Sequence, residues 1–280
     1  MDGIETLDTV ADCAVATHGG PVRVHNEDHC LSLMSESRDA RPRRYLLAVA
    51  DGLGGRNAGE VASHTAIEAL AQAFQDGGPE SPRGWLARAL QHANLAVFDL
   101  AHTDARYRSM QTTLTALLLQ SDRIAIGHVG DCRAYRFRRG TVQQLTQDHT
   151  RLLDLIRVRL VTAEQALTHP ARHVLTRSLG AEPIVPVELV EAHAEAGDSY
   201  VVCSDGIWSA LSRNNLQRLI SGLPAAEACE RLMTLGLTLD VADNISVGVA
   251  HVHRVVPAAG APPWRRRVVR FLRHRALPSG

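Results

Sequence analysis

Strand-like and helix-like runs in this chain come in blocks. Short apolar or β-branched runs at 10–18, 29–34 and 45–50 precede two alanine-rich helical stretches at about 58–75 and 83–106. In the second stretch Leu86, Leu90, Ala93, Val97 and Leu100 recur three and four residues apart, so one face should lie on a sheet. β character returns at 112–119, 123–129, 132–137 and 142–145. A helical pattern over about 149–167, with Thr162 as an N-cap, separates these from strands at 187–192 and 199–203. Helices at about 207–211, 213–220 and 224–239 and a last strand at 245–252 follow. A parallel α/β protein would alternate strand with helix. Two blocks of strands with helices grouped between them predict an α+β sandwich instead.

A chain of 280 residues can bury a substantial core. Its charges balance, 30 basic against 30 acidic, but unevenly. Seven arginines and no acid lie from Arg254 onward, leaving 23 basic against 30 acidic residues before them. The boundary expected from this shift is a body at 1–253 and a basic tail at 254–280. An acidic body excludes nucleic acid as a partner and suits a protein that concentrates divalent cations. Within the tail, residues 264–273 read either as an amphipathic helix for an acidic surface or as a solvated extension. No run is apolar enough to span a membrane, and residues 1–12 are unlike a secretory signal. Cys13, Cys30, Cys132, Cys203 and Cys229 form no C-x-x-C pair. They read as free thiols of a reducing cytoplasm, not as zinc ligands.

The run at 45–50 ends in Asp51-Gly52-Leu53-Gly54-Gly55. An acid where a buried strand meets a glycine turn keeps its carboxylate at the sheet edge. The glycines permit positive φ and a close approach of backbone carbonyls to a ligand. Asp28, Asp131, Asp205 and Asp243 also stand beside runs that should be buried. Five such carboxylates, converging without five bases, would repel one another by kilocalories unless cations neutralise them. All-oxygen ligation selects Mg²⁺ or Mn²⁺. Two such ions about 3.5–4 Å apart can share a water, lower its pKa and aim it at phosphorus.

Several short motifs follow one another along the chain. They are Arg23-x-x-Asn26-Glu27-Asp28, Asp51-Gly52-Leu53-Gly54-Gly55, Thr112-Thr113-Leu114 and Gly130-Asp131-Cys132-Arg133-Ala134-Tyr135. Leu145-Thr146-Gln147-Asp148-His149-Thr150, Leu175-Thr176-Arg177-Ser178-Leu179-Gly180, Ser204-Asp205-Gly206-Ile207-Trp208 and Asp243-Asn244 complete the series. This ordered set resembles that of bacterial PPM-type, or protein phosphatase 2C-like, serine/threonine phosphatases. The resemblance implies a four-layer α-β-β-α sandwich of two antiparallel sheets, and metal-dependent hydrolysis of phosphoserine and phosphothreonine in proteins. Asp28 and Asp51 would ligate one Mn²⁺ or Mg²⁺ ion. Asp51, the Gly52 carbonyl, Asp205 and Asp243 would form the ligand set around the pair. Asp131 with Asp205 matches a third-metal position, Glu27 would act through water, and Arg23 would grip the substrate phosphate through its planar fork. Asp28, Asp51, Asp205, Asp243 and Arg23 are thus the catalytic set. The implied partners are phosphoproteins and a Ser/Thr kinase, in some relatives within a type VI secretion setting, with the enzyme a monomer.

Departures from the family pattern sharpen the reading. Leu53 stands where some relatives carry a histidine acid, so the leaving alkoxide would take its proton from water or another group. Ser209 replaces a further acid, which implies a weaker third site. In the flap at 151–167, Val158-Arg159-Leu160 replaces a glycine turn and alters the segment expected to meet substrate. His149 reads as structural, His251 and His253 as a solvent-exposed pair, Asn244 as an orienter of Asp243 or the turn, and Thr112-Thr113 as strand packing. Cys132-Arg133 lacks the C-x₅-R spacing of a phosphate loop, so no phosphoenzyme is expected. Two rivals share these carboxylates: a pseudophosphatase serving as a binding module, and a hydrolase of small phosphoesters.

Overall fold

The computed structural model describes residues 10–35, 42–54, 58–78, 81–166, 169–210, 213–239 and 241–256. In chain order the elements begin with β1 (Val10–His18), β2 (Asp28–Ser35), β3 (Arg44–Leu53), α1 (Ala58–Asp76) and α2 (Pro82–Thr103). Next come β4 (Gln111–Thr112), β5 (Leu114–Gln120), β6 (Arg123–Val129), β7 (Arg133–Arg138) and β8 (Thr141–Gln144). Helices α3 (Arg151–Arg157) and α4 (Ala163–Ala166) lead to β9 (Glu188–His193) and β10 (Ser199–Cys203). Finally α5 (Asp205–Trp208), α6 (Arg213–Ile220) and α7 (Ala225–Thr238) precede β11 (Ile245–Arg254).

The strands form two antiparallel sheets. One runs β1-β11-β10-β7-β8, the other β2-β3-β5-β6-β9 with β4 added to β3. The alternation of side chains along β3 makes the four layers visible. Tyr45, Leu47 and Val49 face the opposing sheet, while Leu46, Ala48 and Ala50 face α1 and α2. On β10, Tyr200 and Val202 enter the space between the sheets, whereas Val201 and Cys203 meet α6 and α7. Such strands need no polar face, because a layer covers each side; this is why 45–50 is apolar without a break. Alanines at 62, 66, 73, 89 and 93 keep the α1 and α2 faces small where they pack on the sheet.

Most expected bounds shift by one to three residues. The strand expected at 45–50 continues to Leu53, so the first three residues of the glycine motif belong to a paired strand. The helical pattern at 149–167 divides. Thr150 Oγ1 caps α3 by accepting from Leu153 N (3.3 Å), and Thr162 caps α4 through a reciprocal pair with Gln165. Between them Arg159 adopts φ 59°. The turn usually made by glycine is thus retained, with a side chain held in the left-handed region. All five cysteines are free. Among the described residues no helix is long and apolar enough to cross a membrane. The body reaches past the expected boundary at 253, since β11 ends at Arg254 and Val255 packs on the inter-sheet core. The rest of the expected tail, 257–280, lies outside the described residues, as do Gly55 and Ser212.

Candidate metal centre

The site forms where the two sheets present the same end. Asp28 opens β2 and Asp51 lies near the end of β3, and the antiparallel register sets them directly opposite each other. Asp205 follows β10 and Asp243 precedes β11, so both come from the other sheet. Asp131 lies in the turn by which the chain crosses from β6 in one sheet to β7 in the other.

The four other acids all act on Asp51. Burial, and then the charges of Asp28, Asp205, Asp131 and Asp243, push the Asp51 carboxyl well above its ordinary value. Burial is also the largest cause for the others. It raises Asp28 and Asp131 to about 7, with Asp205 adding repulsion in each case, and raises Asp205 to about 6, with Asp243 adding repulsion. A set of desolvated, mutually repelling carboxylates has the donor chemistry of a hard divalent cation site. The residues fit Mn²⁺ or Mg²⁺.

Arg23 faces the cluster, and Arg172 and Arg133 also act on Asp205 and Asp131 respectively. Arg23 Nη2 lies 2.8 Å from Asp243 Oδ2, and Nε donates to the Ala242 carbonyl at 3.3 Å. Half of this side chain is exposed, which leaves it at the rim. Glu27 is nearby as well, and burial raises its carboxyl above the usual range despite Arg23. Its main-chain oxygen accepts from Gly52 N (3.0 Å) and its main-chain nitrogen donates to Asn244 Oδ1 (2.9 Å). Asn244 also donates to the carbonyls of Gly19 and His25, and Asp243 Oδ1 accepts from Asn244 N. Asn244 therefore orders the loop that carries Arg23 and Glu27, in keeping with its reading as an orienter. Thr113 Oγ1 accepts from Asp51 N, and Thr112 Oγ1 donates to Asp51 O, each at 2.9 Å. Both threonines belong to strand packing.

Two expectations need correction. Neither Gly52 nor Gly54 has a positive φ. Glycine is needed at 52 because a Cβ there would fall on the Gly59 carbonyl at the start of α1. Gly52 thus allows helix and strand to touch, and does so without an unusual backbone. His251 is not solvent-exposed: it is buried, with Nδ1 2.6 Å from Ser199 Oγ, while His253 alone is exposed. Residue 251 faces inward because it follows Val249 in the alternation of β11.

Several contacts could not be read from the sequence, although Ser204, Trp208, Arg133 and Asp148 all stand in its motifs. Ser204 Oγ donates to Asp28 Oδ2 at 2.8 Å, joining one sheet to the other inside the site. His173, just beyond the flap, comes within 3.8 Å of Asp205 Oδ2. Trp208 donates from Nε1 to the Asp131 carbonyl (3.0 Å), and the Arg133 guanidinium stacks 3.5 Å from its ring centre while forking onto Asp148. These contacts join residues 15 to 176 positions apart, beyond any local pattern.

Behind Asp131 lies a second cluster, His128, His149 and Glu188, whose donor atoms lie within 4.8 Å of one another. The lone pairs of both imidazole rings are already committed, that of His128 Nδ1 to Thr115 Oγ1 at 2.8 Å. His149 Nδ1 accepts from Gly130 N at 3.1 Å, which puts the ring proton on Nε2, 3.3 Å from Glu188. His128 Nε2 faces the Gln147 carbonyl at 3.0 Å, and burial lowers its pKa to about 4. With His149 N donating to Gly130 O at 2.7 Å, His149 grips the peptide before Asp131 on both sides. Gly130 has φ 111° and would place a Cβ 2.5 Å from Thr113, so this turn has little room to adjust. His149→Leu leaves Gly130 N–H buried and unpaired, and is expected to cost about 1–3 kcal/mol by urea unfolding. His149→Asn, with an oxygen in place of Nδ1, should recover part of that loss. Equal stability of the two variants would contradict this role.

The sequence signature of the family described as Protein phosphatase 2C matches residues 24–234. The serine/threonine phosphatase stp of Listeria welshimeri is 30% identical over 236 residues, an alignment covering 82% of this chain and 92% of that protein. The catalytic domain of the serine/threonine protein phosphatase PstP, in complex with two manganese ions, superposes with a TM-score of 0.76. It is 33% identical, with 88% of this chain and 100% of that one covered. PppA of Pseudomonas aeruginosa, described as a key regulatory component of its type VI secretion system, gives a TM-score of 0.71 at 27% identity, covering 86% and 97% of the two chains. A signature spanning three quarters of the residues, carried on the same double-sheet architecture, makes this chain a member of the protein phosphatase 2C family.

Proposed function

We propose that this protein is a metal-dependent phosphatase of phosphoserine and phosphothreonine in proteins. The observation that carries this is the gathering of Asp28, Asp131, Asp205 and Asp243 around Asp51, with Arg23 paired to Asp243. In this reading Asp28, Asp51, Asp205, Asp243 and the Gly52 carbonyl would hold two Mn²⁺ or Mg²⁺ ions, and Asp131 with Asp205 would form a third, weaker site. Bound there, the ions supply Lewis acidity and lower the pKa of water for attack on phosphorus.

The chain's own groups do the rest. Ser204 fixes Asp28, Thr113 fixes the Asp51 backbone, and Asn244 fixes the Asp243 loop. Arg23 shares its charge between Asp243 and the phosphate it receives. A covalent route through cysteine does not fit, because burial and then Asp51 push the Cys132 thiol well above its ordinary pKa, and its Sγ rests 3.1 Å from Thr113 Oγ1. Since the glycine motif has Leu53 and no histidine, the alkoxide takes its proton from water or another group.

The substrates are phosphoproteins, and the partner in this reading is the Ser/Thr kinase whose product is reversed. The PppA likeness supports a type VI secretion setting, and the free thiols support a cytoplasmic location. A comparison of Mn²⁺-dependent turnover tests the reading. A phosphothreonine peptide should exceed nucleotides and sugar phosphates in kcat/KM by about 100-fold, a transition-state difference of about 3 kcal/mol. The reverse order would make this a small-phosphoester hydrolase. Calorimetric titration with Mn²⁺ should show at least two bound ions; no binding would mark a pseudophosphatase.

A further inference from the structure

Helix α3 is amphipathic but buries none of its residues. Leu152, Leu153 and Ile156 are instead half-covered, and they line a cleft of about 360 Å³ whose opposite wall is Trp208. That wall is fixed. The indole is held by its bond to the Asp131 carbonyl and by the Arg133 guanidinium, itself locked on Asp148. One end of the cleft is His173, the residue 3.8 Å from Asp205, so the cleft begins where the metal centre ends. The flap together with the stretch that follows it is charged opposite to that centre: residues 151–177 hold five arginines against two acids, three of the arginines within the flap itself. Arg172 stands at the cleft, and Arg159 is exposed beside Leu160, itself 72% exposed.

We propose that this cleft is a substrate subsite. It seats one aliphatic or aromatic side chain of a phosphoprotein segment, within about three residues of the phosphorylated one, a span of about 10 Å in extended chain. The flap arginines favour acidic residues around it, through forks that match carboxylates. The occupant is argued from continuity: a phosphoresidue held at Asp205 and Arg23 must send its neighbours along the surface, and the flap side offers apolar walls of the opposite charge to the centre. This subsite rests on the protein-phosphatase reading above and narrows it to a class of sequence.

The test uses the full chain with Mn²⁺ and a set of phosphothreonine peptides. In these a single leucine is moved through the three positions on either side of the phosphoresidue, in acidic and in basic contexts. At one position leucine should raise kcat/KM over serine by about 10-fold, the scale of a side chain entering an apolar pocket. Acidic flanks should exceed basic ones by a similar factor at low salt, and less at high salt. In the Leu153→Ser/Ile156→Ser double variant the leucine-over-serine ratio should fall to within about 2-fold, a ratio independent of how much active enzyme is present. Equal turnover of all wild-type peptides, or a ratio kept by the double variant, would overturn the subsite alone. Hydrolysis of p-nitrophenyl phosphate with no turnover of any phosphopeptide would overturn the protein-phosphatase reading, and the subsite with it.

Discussion

Asp205→Asn is expected to lower Mn²⁺-dependent turnover of p-nitrophenyl phosphate by about 10³-fold or more. The same change should leave the metal-free protein as stable as the wild type, or more so. Asp205 stands at the centre of the constellation: its charge acts on Asp28, Asp51 and Asp131, and in the proposed ligand set it serves both the ion pair and the third site. Asparagine keeps the shape and an oxygen able to accept from the Gly206 backbone, yet it removes a charge that the other four acids oppose. Loss of activity through unfolding predicts a lower melting temperature. Loss of activity through the metal site predicts an unchanged or higher one, together with a weakened Mn²⁺ titration. Near-normal turnover would defeat the assignment of these carboxylates.

Mn²⁺ should stabilise the protein far more at pH 8 than at pH 5.5. Asp28 and Asp131 titrate at about 7 and Asp205 at about 6 in the folded chain, against 3.8 for an unperturbed aspartate. Raised folded values mean that the folded chain keeps protons that the unfolded chain has released. That contribution to stability is complete below about pH 4 and is lost as pH rises through 6 and 7. At pH 8 the metal-free site is therefore a set of repelling charges, which a divalent ion relieves. At pH 5.5 the ion must first displace protons, and each one displaced weakens binding by about tenfold per pH unit. The apparent Mn²⁺ affinity should fall by about 100-fold or more between the two, measured by calorimetry, with the metal-induced rise in Tm shrinking in step. An equal rise at both values would show that these acids do not hold the ion.

How much of this was legible beforehand differs by residue. Asp51 could be singled out because an unbroken apolar run leads into it, and both faces of β3 are indeed covered. The reason for its glycines could not be read. A D-G-x-G-G string looks the same whether it needs positive φ or, as at Gly52, room for the Gly59 carbonyl of a neighbouring helix. His251 was misjudged for a related reason: a place at the end of a strand suggested exposure, but β11 is flanked by β1 and β10, and burial follows pairing. Arg159 shows the opposite case, where the fold kept a turn that the local sequence disfavours.

The sequence by itself determined the inventory: the alternation that makes two-sided strands, the helix faces that cover them, and the five acids at element ends. These are local properties, set by the period of a strand or helix and the chemistry of one side chain. Only the tertiary structure decided the arrangement. Register places Asp28 opposite Asp51, and the crossover from β6 to β7 carries Asp131 between the sheets. A hydrogen bond from Ser204 then ties Asp28 to the other sheet across 176 residues. The flap likewise needed the fold, since its leucines are unremarkable in sequence and become a cleft only because Trp208 is pinned across from them. Contacts of this kind depend on packing between distant segments, where free energy is shared among many weak terms and no single stretch records the result.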